Sequence, residues 1–362
     1  MKLSKIIECL EKWAPPSLQE EYDNSGLLIG NSENEIKGIL VTLDCTESVI
    51  NEAIKKKCNL IISHHPLIFK PIKKINGSNY VERSIIKAIR NSISIYSIHT
   101  NLDNIISGVN NKIADKIGLK NIEILDKKNN VLSKIEFYIP KNYKENVLKK
   151  LFKIGAGKIG NYDSCSFQAE GLGTFKPDDN ASPFIGKNNK FQKSNEVKVE
   201  LIFESHLEKE LINCLKNSHP YDEVAFYVTR INNKSKMIGS GILGSLKIDT
   251  SNLLKKLKNI FKTKVIKHTV LNKNKVSKIA ICGGSGSFLI NKALKNNADA
   301  FITSDLKYHD FFEGGSKMLI VDIGHYESEQ FTKELIFEYL SKKLVNIAIH
   351  LSKINSNPIR YY

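Results

Sequence analysis

The sequence predicts an α/β protein: a layered, largely parallel sheet interrupted by an inserted ferredoxin-like α+β segment. Three observations predict it. Uninterrupted β-branched runs alternate with helical patterns in the first and last thirds of the chain. Polar residues able to do chemistry recur where those runs end, the place where open α/β sheets bind ligands. Between about 130 and 235 the pattern changes to two βαβ-like halves.

Taken in order, "MKLSKIIECLEKWAPP" sets Leu3, Ile6, Ile7 and Leu10 at helical spacing and stops before Pro15. Glu8 and Glu11 break any signal-peptide core, so an amphipathic helix and a cytoplasmic protein are expected. The runs "GILVTLD" (38–44), "LIISHH" (60–65) and "SIYSIHTNLD" (94–103) read as strands. Helices "TESVINEAIKKK" and "RSIIKAIRN" separate them. In the middle, "KIEFYIP", "VKVELIFE" and "VAFYVTRI" are strands, with helices "KENVLKKLFKIG" and "HLEKELINCLKN" between them. A loop rich in Gly, Asp, Asn and Pro, around "GLGTFKPDDNASPFIGKNN", interrupts this pattern. The last third supplies "KVIKHTV" (264–270), "KIAICGG" (278–284), "AFITSDL" (300–306) and "MLIVDIGH" (318–325). The expected division is therefore 1–127 and 237–362 for the α/β domain, with 128–236 inserted.

Composition excludes several classes. At 362 residues, two domains are the default, and 41% hydrophobic with 25% charged residues suits a soluble globular protein. No apolar run approaches membrane-spanning length, so no membrane partner is expected. The six cysteines include no Cys-x-x-Cys pair, so neither a disulfide framework nor a thiolate zinc site is expected. The net charge of +16 suggests nucleic acid, but only four of the 54 basic residues are arginines. The lysines are dispersed in short doublets, so the chain is expected to carry a solvated lysine coat and no nucleic-acid groove.

The chemistry gathers at strand ends. Asp44 ends the first strand, His64 and His65 the second, and His99 and Asp103 the third. In the last third, Gly283-Gly284, Asp305 and Asp322 to His325 occupy the corresponding places. His325 opens a helix, and Glu329, four residues on, shares its face. The set His64, His65, Asp103, His325 and Glu329 offers only nitrogen and oxygen, which suits zinc first, and also iron, manganese or nickel. Three imidazoles and two carboxylates exceed one catalytic zinc with an open position. They suit two divalent metal ions roughly 3.5–4 Å apart. The adjacent histidines would then serve different metals.

"YDNSGLLIG", "VTLDCT", "LIISHHPLIF", "HTNLD", "TSDLKYHD" and "VDIGHYESE" together resemble the successive motifs of the GTP cyclohydrolase 1 type 2 homologs. That family is also called Nif-three-like dinuclear metal-centre hexameric proteins. The likeness covers about 1–125 and 240–362. The middle segment, with "GTFKPDDNASPFIG" and "HPYDEVAFYV", resembles the P-II/CutA-like insert of the longer members. The resemblance implies a toroidal homohexamer whose metal sites face an internal cavity, with the ligands falling on the five residues above. It also implies conversion of a nucleotide substrate, GTP, to 7,8-dihydroneopterin triphosphate and formate. The alternatives are a two-metal phosphohydrolase and a non-catalytic metal-binding scaffold or regulator. His309 is the expected proton donor, while His99 is expected only to be hydrogen-bonded behind the ligands. Asp44 and Asp305 would position water or substrate, or else cap the next helix. "CGGSGSF" would either cradle a phosphate or pack a tight turn, and "DNSGLLIG" reads as a turn into a strand.

Overall fold

Strand formation follows the apolar runs: Gly38–Thr42 and Leu60–Ser63 are buried at every residue, as parallel strands covered on both faces must be. The computed structural model describes residues 1–270 and 274–362. They form two compact units, one of Met1–Lys127 with Met237–Tyr362, the other of Lys128–Lys236.

The larger unit begins with β1 (Gly26–Ile29), β2 (Gly38–Thr42), β3 (Leu60–Ser63), β4 (Ser94–Ser97) and β5 (Lys120–Lys127). The smaller unit holds β6 (Leu132–Pro140), β7 (Phe167–Phe175), β8 (Gln192–Glu204) and β9 (Phe226–Ile231). The larger unit then resumes with β10 (Gly239–Asp249), β11 (Lys267–His268), β12 (Lys275–Ser285), β13 (Ala300–Ser304), β14 (Leu319–Asp322) and β15 (Ala348–Leu351).

The larger unit has two sheets where one was expected. The first has the order β1-β4-β3-β2-β15, parallel except for β1. Leu40, Ile61 and Ile95 lie in register across it and pack against Val49, Ile50, Ile85 and Ala88 of helices Glu47–Lys55 and Tyr80–Arg90. Thr46 and Asn79 cap those helices by accepting the Val49 and Glu82 amides. The second sheet, β11-β14-β13-β12-β10-β5, is parallel at β12–β14 and antiparallel elsewhere. The 264–270 run differs from expectation. Lysines interrupt it, and only the exposed Lys267–His268 pairs, antiparallel on β14.

In the smaller unit the antiparallel order is β7-β8-β6-β9, with β6 and β8 central, the arrangement of a ferredoxin-like plait. Strict alternation along β6 sends Ile135, Phe137 and Ile139 under the helices Lys144–Ile154 and Glu208–Ser218. The opposite face carries Lys134, Glu136, Lys198 and Glu200, joined in ion pairs. Among the described residues, no helix is long and apolar enough to cross a membrane.

Candidate metal centre

The ends of β3 and β4, from the first sheet, and of β14, from the second, converge on one cluster. His64 and His65 extend the pairing of β3, their amides donating to the carbonyls of Thr42 and Leu43. The Ser63 hydroxyl, donating to the His65 carbonyl at 2.8 Å, pins the turn before Pro66. The two rings lie 5.0 Å apart and are tilted by 42°, so they point into different parts of the cluster.

Four histidines are held the same way, through Nδ1. His64 meets the Ile98 carbonyl at 2.8 Å, His65 meets Asp44 at 2.6 Å, His99 meets Asp23 at 2.7 Å and His325 meets Asp305 at 2.6 Å. A carbonyl or carboxylate can only accept, so each Nδ1 carries the proton and each Nε2 is left for another partner. Asp44 and Asp305 therefore fix ring orientation. Capping falls to Thr46, which accepts the Val49 amide.

Glu329 sits at the centre. Its Oε2 lies 2.8 Å from His65 Nε2 and 3.0 Å from His325 Nε2, and its Oε1 lies 4.0 Å from His64 Nε2. Asp103 Oδ1 is 3.6 Å from His64 Nε2. Three overlapping trios have donor atoms within 4.8 Å of one another: His64-His65-His99, His65-His325-Glu329 and His64-Asp103-Glu329. His64 Nε2 and Asp103 Oδ1 are buried and have no hydrogen-bond partner among the described residues. Leaving such atoms unpaired costs about 1–3 kcal/mol each. Divalent cations would satisfy both, and the donor set of imidazole and carboxylate suits them. The residues present fit the expected metals.

The charge distribution agrees. Burial would lower the His65 pKa, but hydrogen bonds to Asp44 and Glu329 outweigh it and raise the pKa to about 9. The Glu329 charge, opposed by burial, raises His325 to about 11. Burial opposes ionisation of Glu329, yet His325 and His65 hold its pKa well below the usual carboxylate range. Burial drops His64 to about 3, and burial together with the Glu329 charge pushes Asp103 up. Without a cation, protons on His65 and His325 supply the positive charge around Glu329.

The glycine-rich turn serves this carboxylate. The Gly283 amide donates to Asn110 Oδ1 at 2.8 Å and the Gly284 amide to Ser328 Oγ at 3.0 Å, so neither is free for a phosphate. Gly284 has φ +63°, and a Cβ there would lie inside the van der Waals surface of Glu329 Oε1. The packed-turn reading holds.

His64, His65, Asp103, His325 and Glu329 are thus brought together. His309 is not: it lies exposed in the turn Tyr308–Phe312, against the rings of Tyr308 and Phe312, and belongs to none of the trios. Its strand-end position carried the expectation, but the chain turns outward after Asp305, which has φ +57°. Sequence reasoning also passed over Asp23. Its buried carboxylate accepts from His99 and from the Thr100 amide and hydroxyl. Nothing local in "DNSG" signals that role, because the partners lie 76 and 77 residues away.

The sequence pattern of the family described as Duf34/NIF3 (NGG1p interacting factor 3) matches residues 1–358. A Staphylococcus epidermidis protein named "GTP cyclohydrolase 1 type 2 homolog" is 38% identical over 100% of both chains. One of the same name from Bacillus subtilis is 36% identical over 99% of this chain and 98% of its own. The crystal structure of a Bacillus cereus protein related to NIF3 superposes with TM-score 0.88 at 33% identity, covering 100% of this chain and 99% of that one.

Proposed function

The chain belongs to the Duf34/NIF3 family, and from that premise we propose that it is a metal-dependent hydrolase. His64, His65, Asp103, His325 and Glu329 would hold two divalent metal ions, zinc first. The observation that carries this reading is the buried pair of partnerless ligand atoms, His64 Nε2 and Asp103 Oδ1, facing a carboxylate shared by two more histidines. When bound, the two cations supply Lewis acidity and lower the pKa of water.

The chain's own groups do the rest. Asp44, Asp305 and the Ile98 carbonyl hold three rings by Nδ1, so the Nε2 atoms would be free to hold the ions without reorganising. Asp23 orients His99 beside His64 and His65, where its Nε2, when it too carries a proton, would serve as the donor in place of the exposed His309. The substrate we favour is GTP, converted to 7,8-dihydroneopterin triphosphate and formate. The name of the relatives supports this. The same resemblance supports a cytoplasmic homohexameric toroid in which 128–236 is a P-II/CutA-like domain.

The test is metal-loaded protein with GTP, followed in parallel for pterin fluorescence, formate and phosphate. Pterin with formate supports the cyclohydrolase. Phosphate alone assigns a two-metal phosphohydrolase. Neither product, with both metals bound, assigns a non-catalytic metal-binding scaffold.

A further inference from the structure

The smaller unit contains a cavity that the metal chemistry does not use. Its volume is about 640 Å³, within the range of small-molecule sites. It lies on the sheet face opposite the helices and is walled by the two segments "GTFKPDDNASPFIG" (173–186) and "HPYDEVAFYV" (219–228).

The walls are held in place. Asp222 accepts the Ser182 amide at 2.9 Å, and the Asn189 amide donates to the Pro177 carbonyl at 2.7 Å, which fastens the loop. Buried His219 braces the other side. Its Nε2–H donates to the Tyr138 carbonyl at 2.9 Å, and its Nδ1 accepts the Tyr221 amide at 3.1 Å. That turn aims the Tyr221 hydroxyl at Glu196 Oε1, 2.6 Å away. Phe184 and Phe175 stand 6.2 and 6.4 Å from the Tyr221 ring. The result is an apolar, aromatic site formed before any ligand arrives.

Its charges sort into paired and available. Glu170 is held by Lys141, and Lys198 by Glu136 and Glu200. Tyr221 occupies only one oxygen of Glu196. Among the described residues, no hydrogen bond or ion pair engages Glu196 Oε2, the Glu223 carboxylate or the Lys176 ammonium. Two carboxylates against one ammonium favour a cation, and aromatic rings add attraction to one. A Cβ on Gly173 would sit 2.6 Å from Glu196 Oε2, so the bare glycine leaves that oxygen its room.

We propose that this cavity binds a compact organic cation, an aromatic amine or amidine, with its N–H groups on Glu196 Oε2 and its flat apolar body among Phe175, Phe184 and Tyr221.

The test is calorimetric titration of the full chain with tryptamine and benzamidine, and with indole-3-propionate as a charge-reversed analogue of similar shape. The expected result is one saturable site per chain for a cation and at least tenfold weaker binding of the propionate. Glu196→Gln is expected to weaken the cation at least tenfold, and Phe184→Ala to weaken both indoles. Amide exchange across 128–236 confirms that each variant is folded. Chelator-treated protein is expected to bind the cation equally well, which separates this site from the metal centre. Failure of both cations to bind overturns the proposal. So does equal affinity for tryptamine and the propionate, or unchanged tryptamine affinity in a folded Glu196→Gln variant.

Discussion

Replacing Gly284 by Ala adds one methyl group beside the carboxylate that joins the two halves of the metal centre. The new Cβ would lie inside the van der Waals surface of Glu329 Oε1, 3.2 Å from its Cδ and 3.5 Å from His325 Cε1. The carboxylate would have to retreat by roughly 1 Å to regain ordinary contact. Metal-ligand distances tolerate only about 0.2 Å, so a retreat of that size removes Glu329 as a good ligand. Metal affinity is expected to fall at least about tenfold, the lower end of what mispositioned ligands cost. Stability falls as well. Alanine at φ +63° costs roughly 1–2 kcal/mol, and the clash adds about 1–3 kcal/mol. At roughly 2–4 °C per kcal/mol for a domain of this size, Tm should drop by about 4–20 °C. Gly315→Ala is the control. It has φ +49° with nothing within 4 Å of the added Cβ, so it carries the backbone strain without the clash. Elemental analysis and metal titration, with thermal melts of chelated protein, read both effects. If Gly284→Ala binds metal like the parent, or melts no lower than Gly315→Ala, then the glycine is not there to admit Glu329.

Other consequences can be measured directly. His65→Ala or Glu329→Ala is expected to cut metal content sharply while the protein stays folded, since His65 follows β3 and Glu329 ends a short helix, both outside the apolar cores; undiminished stoichiometry in both contradicts the ligand assignment. Lys127 and Gly239 are opposite one another across β5 and β10, so removing 128–236 and closing the gap with Asn-Gly is expected to leave a folded, metal-binding protein. A soluble but metal-free product would show that the larger unit needs the insert. Burial lowers His206 to about 4, and burial also lowers His219 against a smaller opposing effect of the Tyr138 carbonyl. Unfolded histidines bind protons from about pH 6.5 downward, so these two sites contribute stability above that pH and lose it as pH falls toward about 4. Amide exchange of residues 128–236 should accelerate across that window, and His206→Asn should flatten the response. Asp23→Asn keeps the size of the side chain but frees His99, and is expected to reduce turnover of any metal-dependent reaction more than metal content.

The elements legible in the sequence were those whose signal is local. β2, β3 and β13 are short apolar runs buried throughout, and the sequence places each within two residues. The expected third strand overruns β4 by six residues, because Thr100–Asp103 turn into a helix, and the expected last run overruns β14 by three. β15 was not anticipated: "AIHL" is brief and half-exposed, and its reason for being a strand is the edge of β2. The division into two sheets was equally hidden, because alternation of strands and helices looks the same for one sheet as for two. At the site, His64, His65, Asp103, His325 and Glu329 stand out by residue type at strand ends or in the short helices that follow them. Asp23 and Ser356 do not, since what they do, holding His99 and Asp44, depends on partners in distant segments. His309 is the opposite case: it lies exposed and outside the trios. It had the right residue type near the right strand end, with a backbone turn after Asp305 that no local pattern announces.

The placement of the insert bears on how the protein is made. His64, His65 and Asp103 precede residues 128–236, while His325, Glu329, β15 and Ser356 all follow them. A chain leaving the ribosome therefore exposes half of the centre first. It then produces a segment with its own buried core of Phe137, Val199 and Phe203, which can fold while the earlier strands wait for their partners. The carboxylate shared by both halves emerges only after the whole insert, and the Ser356 hydroxyl that steadies Asp44 emerges later still. A chain that stops within the insert keeps His64 and His65 but lacks His325 and Glu329, so it cannot close the cluster.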